Sequence, residues 1–80
     1  LTIGAPVVHE DHGVGRYQGL KTLDVDGRPH EFLVIEYADG DKLYVPVMAL
    51  ARVTRYTGGP PESAPLHKLG GQEWQKARKK

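Results

Sequence analysis

Residues 31–47, Glu-Phe-Leu-Val-Ile-Glu-Tyr-Ala-Asp-Gly-Asp-Lys-Leu-Tyr-Val-Pro-Val, constrain the chain most, because they write a whole β-hairpin in one stretch. β-branched and aromatic side chains favour extended backbone over residues 32–37 and again over residues 42–47, and Asp39-Gly40 between them predicts the positive φ of a tight type I′ turn. A second turn signal, Asp26-Gly27, precedes this hairpin. A small β domain follows. Its sheet must have edges, and a protein without catalytic apparatus can work by offering one of them to a partner.

Eighty residues with 39% hydrophobic content give one domain with a thin core. With no cysteine, neither a disulfide framework nor a thiolate metal site can supplement that core, which predicts a reducing, cytoplasmic setting. No apolar run approaches the roughly twenty residues that cross a bilayer, so no membrane partner is expected. Charge is unevenly distributed. Residues 1–66 carry six Lys/Arg against nine Asp/Glu, a net −3, whereas residues 67–80 carry Lys68, Lys76, Arg78, Lys79 and Lys80 against Glu73, a net +4. An acidic body argues against direct nucleic-acid binding, for which phosphate contacts from Lys and Arg supply most of the affinity.

Along the chain, residues 7–9 read as a first strand and Gly13-Val14-Gly15 as the turn after it. A second strand starts near Arg16 and runs through Tyr17, Leu20 and Leu23 to Val25, with Gly19 marking a bulge or a close backbone approach. The third and fourth strands form the hairpin above, ending at Pro46. One helical turn is predicted at residues 47–50 and a fifth strand at residues 51–56. The expected fold class is mainly β: a small five-stranded antiparallel SH3-like or Tudor-like barrel followed by a C-terminal helix. The barrel is placed at residues 1–57 and a Gly/Pro-containing linker at residues 58–71. Residues 72–80 start a basic helix, with Trp74 and Ala77 on one face, leading into the rest of a longer protein.

Chemistry-bearing clusters are few. His9-Glu10-Asp11-His12 offers two imidazoles and two carboxylates, but the histidines are three apart, where a helical zinc motif needs four, and turn residues bonding nearby backbone is the plainer reading. Gly13-Val14-Gly15 lacks the third glycine and the helix of a phosphate-binding loop. Glu36, Asp39 and Asp41 sit at a hairpin tip, and no Ser/His/Asp or Cys/His set stands out. No catalytic residue, metal ligand or cofactor is therefore expected, and the fragment is not expected to be an enzyme. Tyr17, Phe32, Tyr37, Tyr44 and Tyr56 could line a cage for a methylated side chain, but a barrel this small needs most of them for its core.

Residues 7–17 (Val-Val-His-Glu-Asp-His-Gly-Val-Gly-Arg-Tyr), Gly19-Leu20-Lys21-Thr22-Leu23 and residues 37–47 resemble the RNA polymerase-interacting domain of bacterial transcription-repair coupling factors, which is related to CarD-type transcription regulators. Arg55-Tyr56-Thr57-Gly58-Gly59, Pro65-Leu66-His67-Lys68-Leu69-Gly70-Gly71 and Trp74 are similar to the coupling factors rather than to stand-alone CarD-type proteins. The resemblance implies a Tudor-like barrel that binds the upstream lobe of the RNA polymerase β subunit. It also implies a parent in which a helicase-like ATPase pushes stalled polymerase forward and recruits excision-repair proteins. The alternatives are a CarD-type regulator module, a nucleic-acid-binding barrel and a reader of modified side chains.

Residue pattern and resemblance meet on one strand. Alternation puts Lys21, Leu23 and Val25 on one face and Leu20, Thr22 and Asp24 on the other. With Leu20 serving the core, Leu23 faces outward at a sheet edge; a bulge at Gly19 that shifts the register would bury Leu23 instead. The polymerase-binding residues are expected to be Lys21, Thr22, Leu23, Asp24 and Val25, flanked by Lys42 and Tyr44, on a monomer.

Overall fold

The computed structural model describes residues 1–70. Five antiparallel strands, β1 (Pro6–His9), β2 (Gly13–Val25), β3 (Arg28–Glu36), β4 (Lys42–Pro46) and β5 (Val53–Arg55), form one sheet in the order β4-β3-β2-β1-β5. The fold is mainly β, as predicted, and barrel-like without closing. β4 and β5 are the two ends of the sheet, and a 3-10 helix at Val47–Arg52 carries the chain between them. The helix predicted from residue 72 lies outside the described residues.

Val7, Leu33, Ile35, Tyr37 and Val45 form the core, with Tyr17, Leu43, Ala49, Val53 and Leu69 packed against it. Tyr37 has no exposed surface and donates its hydroxyl hydrogen to the Gly13 carbonyl at 3.2 Å. Burial pushes its pKa up to about 12, so the phenol keeps the proton that this bond needs. Phe32 and Tyr44, by contrast, meet edge-on with ring centroids 6.5 Å apart on the opposite face of the sheet.

Three details of the sequence reading are corrected. Gly13-Val14-Gly15 is not a turn but the start of β2: Gly13 to Gly15 pair with β1, and Ile35, the Glu36 carbonyl and the Tyr37 ring approach Gly15 so closely that only a hydrogen fits there. Asp39 and Gly40 do have positive φ, 67° and 77°, but the β3–β4 connection is a wider loop. The ladder ends at Glu36–Lys42, and the Tyr37 N–H donates to the Asp41 carbonyl at 2.7 Å so that Tyr37 can turn inward. The fifth strand is shorter than residues 51–56, since the 3-10 helix continues to Arg52. The Asp26-Gly27 signal is sharper: φ values of 55° and 78° between paired Val25 and Arg28 make a two-residue turn of the I′ kind.

After β5 the chain is strapped back onto the sheet at His67. Its N–H donates to the Val14 carbonyl at 3.0 Å, its Nδ1 accepts the Val14 N–H at 2.8 Å, and its carbonyl accepts the Ala38 N–H at 3.0 Å. β3 stops pairing with β2 at Arg16, so His67 takes up backbone groups of β2 that have passed the end of β3.

The His9–His12 turn is built by similar local bonding. His9, 6% exposed, accepts the Asp11 N–H on Nδ1 at 3.0 Å, and the two imidazoles lie 4.8 Å apart. Burial holds the His9 pKa below its ordinary 6.5, and His12 adds to the effect against the opposing carboxylates of Asp11 and Glu10. Well above pH 6.5 the imidazole is neutral whether folded or unfolded. As pH falls below 6.5 the unfolded chain takes up the proton first, so this contribution to stability declines with falling pH. The melting midpoint is therefore expected to drop between pH 7.5 and pH 5.5, and to drop less in His9→Gln; equal slopes for the two proteins would count against the assignment.

Candidate partner-binding edge

β2 is the long strand of the molecule, and its neighbours cover it unequally. On the side away from β3, β1 pairs with it from Gly13 only to Arg16. The N-terminal segment extends this cover by one residue: the Tyr17 N–H donates to the Ala5 carbonyl at 2.9 Å, and the Tyr17 carbonyl accepts the Gly4 N–H at 2.7 Å. The chain then turns away at Gly4, where φ is 92°. From residue 19 to residue 25, about 20 Å of extended strand, β2 pairs only with β3 among the described residues. Alternate N–H and C=O groups there point to an unoccupied side.

The other edge of this hairpin arm is a poorer template. β4 pairs with β3 from Phe32 to Glu36, leaving residues 28–31 uncovered, but Pro29 has no N–H to offer in that stretch.

Register fixes the faces. Gln18 is the extra residue of a bulge between Tyr17 and Gly19, and beyond it Gly19 lies opposite Val34, Leu20 opposite Leu33, Lys21 opposite Phe32 and Leu23 opposite His30. Opposed residues in an antiparallel ladder share a face, so Leu20, Thr22 and Asp24 lie on the core side and Lys21, Leu23 and Val25 on the outer side. Two expectations change. Leu20 does not serve the core although it is on the core face opposite buried Leu33: β1 covers β2 only as far as Arg16 and leaves Leu20 55% exposed. The bulge exists, yet it does not bury Leu23 in the core. By inserting one residue it keeps Leu23 on the outer face, half-buried and diagonal to Phe32.

The seven residues singled out from the sequence are thus divided. Lys21, Leu23 and Val25 share the outer face with Tyr44 and Lys42, which β4 holds opposite Val34 and Glu36; Thr22 and Asp24 are on the core side. Charge follows the same division. Lys21, Arg28 and His30 lie on the outer face of the arm, and Asp24 and Glu31 on the core face. Sequence reasoning missed the apolar part of the outer surface, made by Phe32, buried Val34 and Ile3, whose side chain lies over Gly19. The signal was the unbroken run Phe32-Leu33-Val34-Ile35, which marks a strand covered on both faces.

No group of three or more His, Cys, Asp or Glu that could hold a metal ion occurs among the described residues, and no helix there is long and apolar enough to cross a membrane.

Comparison with known proteins gives the family of this barrel-like five-stranded sheet: the chain belongs to the CarD-like/TRCF RID domain family, which matches residues 1–57. It is 60% identical over 80 residues to the transcription-repair-coupling factor of Haemophilus influenzae, 56% to that of Escherichia coli and 45% to that of Bacillus subtilis. Each match covers all of this chain and 7% of the relative, so the chain spans about one-fourteenth of the length of these proteins.

Proposed function

We propose that this domain is a protein-interaction module that tethers a transcription-repair coupling ATPase to the β subunit of bacterial RNA polymerase, at its upstream lobe, by addition of a polymerase strand to β2. The uncovered edge at residues 19–25 carries the reading: it supplies backbone hydrogen bonds for affinity, while Lys21, Leu23 and Val25 supply fit on the outer face. Thr22 and Asp24 face the other side of the added strand, and Lys42 and Tyr44, on the outer face of β4 two strands from β2 and three from the added strand, give flanking contacts to parts of the partner that overhang that face. The names of the relatives and the family support the same reading. In the longer parent, the tether keeps the motor engaged with stalled polymerase for its rescue or removal and for recruitment of nucleotide excision repair. The fragment acts as a monomer without cofactor, catalysis or direct nucleic-acid contact.

Titration of the 80-residue chain with the isolated β-subunit lobe tests this. Saturable binding that changes little between 50 and 300 mM salt is expected of an augmented strand with an apolar anchor, because exposed charges are screened and buried contacts are not. Binding to duplex DNA, with a steep loss on adding salt, is the signature of the nucleic-acid alternative. Absence of lobe binding together with tight DNA binding would reverse the assignment.

A further inference from the structure

We propose that the cleft beneath the start of the uncovered edge seats an apolar side chain of the same docked strand, so that the partner is read on the core side as well as on the outer face; this rests on strand addition to β2 as argued above. The cleft, about 260 Å³, lies between Leu1, Val7, Leu33, Leu50, Val53, Thr54 and Arg55. Val7 and Leu33, which line it, are buried core residues. Leu1 and Leu50, at 55% and 42% exposure, are its apolar walls.

Position along the sheet ties the cleft to the edge. Leu33 lies opposite Leu20, the second residue of the uncovered stretch. Leu1 belongs to the N-terminal segment that stops covering β2 at Tyr17. A strand added from residue 19 onward continues the line of β1 on the sheet. Its residue opposite Leu20 shares Leu20's face, which is the core face, the face on which Leu33 and Val7 line the cleft. Exposed Leu20, on the same face, then gains a neighbour on the side that β1 does not reach. The occupant is a partner strand with an apolar residue on its core side, entering as an anchor into a pocket that the fold has already formed.

The decisive variant is Leu50→Glu, on the 3-10 helix away from the β2 backbone, compared with Met48→Glu, which is 89% exposed on the same helix and does not line the cleft. Lobe binding and thermal melting are measured on each. Leu50→Glu is expected to weaken binding about tenfold or more with a near-normal melt, because a carboxylate in the cleft opposes desolvation by an apolar side chain. Leu50→Met and Met48→Glu are expected to bind as the parent chain does. Should Leu50→Glu melt early, Leu50→Ser takes its place, with a smaller loss expected. Parent-like binding by the folded Leu50 variant overturns the cleft proposal while leaving strand addition intact; failure of the unsubstituted chain to bind the lobe overturns strand addition and the cleft with it.

Discussion

Leu23→Arg is expected to leave the melting transition close to that of the parent chain and to remove detectable binding to the polymerase β lobe. The side chain is half-buried on the outer face of an arm that projects past the core, so an arginine there can extend its guanidinium into water while its stem stays against the sheet. Changes at such positions usually move stability by less than about 0.5 kcal/mol. Binding is affected differently. If an added strand covers the edge, position 23 becomes a desolvated anchor, and a charge placed there costs about 2 kcal/mol or more, roughly thirtyfold in affinity. Melting and lobe binding measured on the same sample separate the cases. A collapsed melt would assign Leu23 to the fold, and a normal melt with normal binding would remove the arm from the interface.

The parts of this fold that were legible in the sequence are those set by local chemistry. Asp26-Gly27 marked its turn because few residue pairs accept two positive φ values in succession, and Gly19 marked the bulge for a related reason, with φ of 102°. The alternation of residues 20–25 gave the two faces of the arm, since period 2 is a property of any strand. What failed was anything that depended on where other segments end. Leu20 faces the core side, but whether it is covered there is decided by the length of β1, which alternation does not encode. Gly13-Val14-Gly15 has turn composition, and only the approach of β3 shows that Gly15 serves close packing. His67 carries no periodic signal, because it bonds through one ring nitrogen and its own backbone to a strand more than fifty residues earlier. The candidate edge itself was half legible. Its residues could be read, whereas its openness follows from the shortness of β1 and the turn at Gly4.

Gly15→Ala is expected to cause the larger stability loss. A methyl group at Gly15 would stand 2.5 Å from Ile35 Cγ2, 2.8 Å from the Glu36 carbonyl oxygen and 3.2 Å from the Tyr37 ring. Ile35 and Tyr37 are fully buried, and the carbonyl belongs to the last residue of β3, so none of the three can swing aside as a surface side chain does. Glycine-to-alanine changes at unstrained sites stabilise by about 0.4–1 kcal/mol through the unfolded chain. Overpacking costs about 1–3 kcal/mol and outweighs that gain. For a domain of this size each kcal/mol moves the melting midpoint by about 4–8 °C, so a fall on the order of 10 °C is expected. Gly27→Asn is the control: nothing lies within 4 Å of a Cβ there, and asparagine tolerates its φ of 78°, so its midpoint should stay within about 3 °C of the parent. Below its transition the Gly15→Ala protein should still bind the β lobe, because Gly15 lies in the half of β2 that β1 covers and the proposed docking begins at residue 19. A Gly15→Ala protein with an unchanged midpoint would mean that β2 and the end of β3 are not packed as closely as described, and weak binding well below its transition would mean that the anchored and uncovered halves of β2 do not act independently.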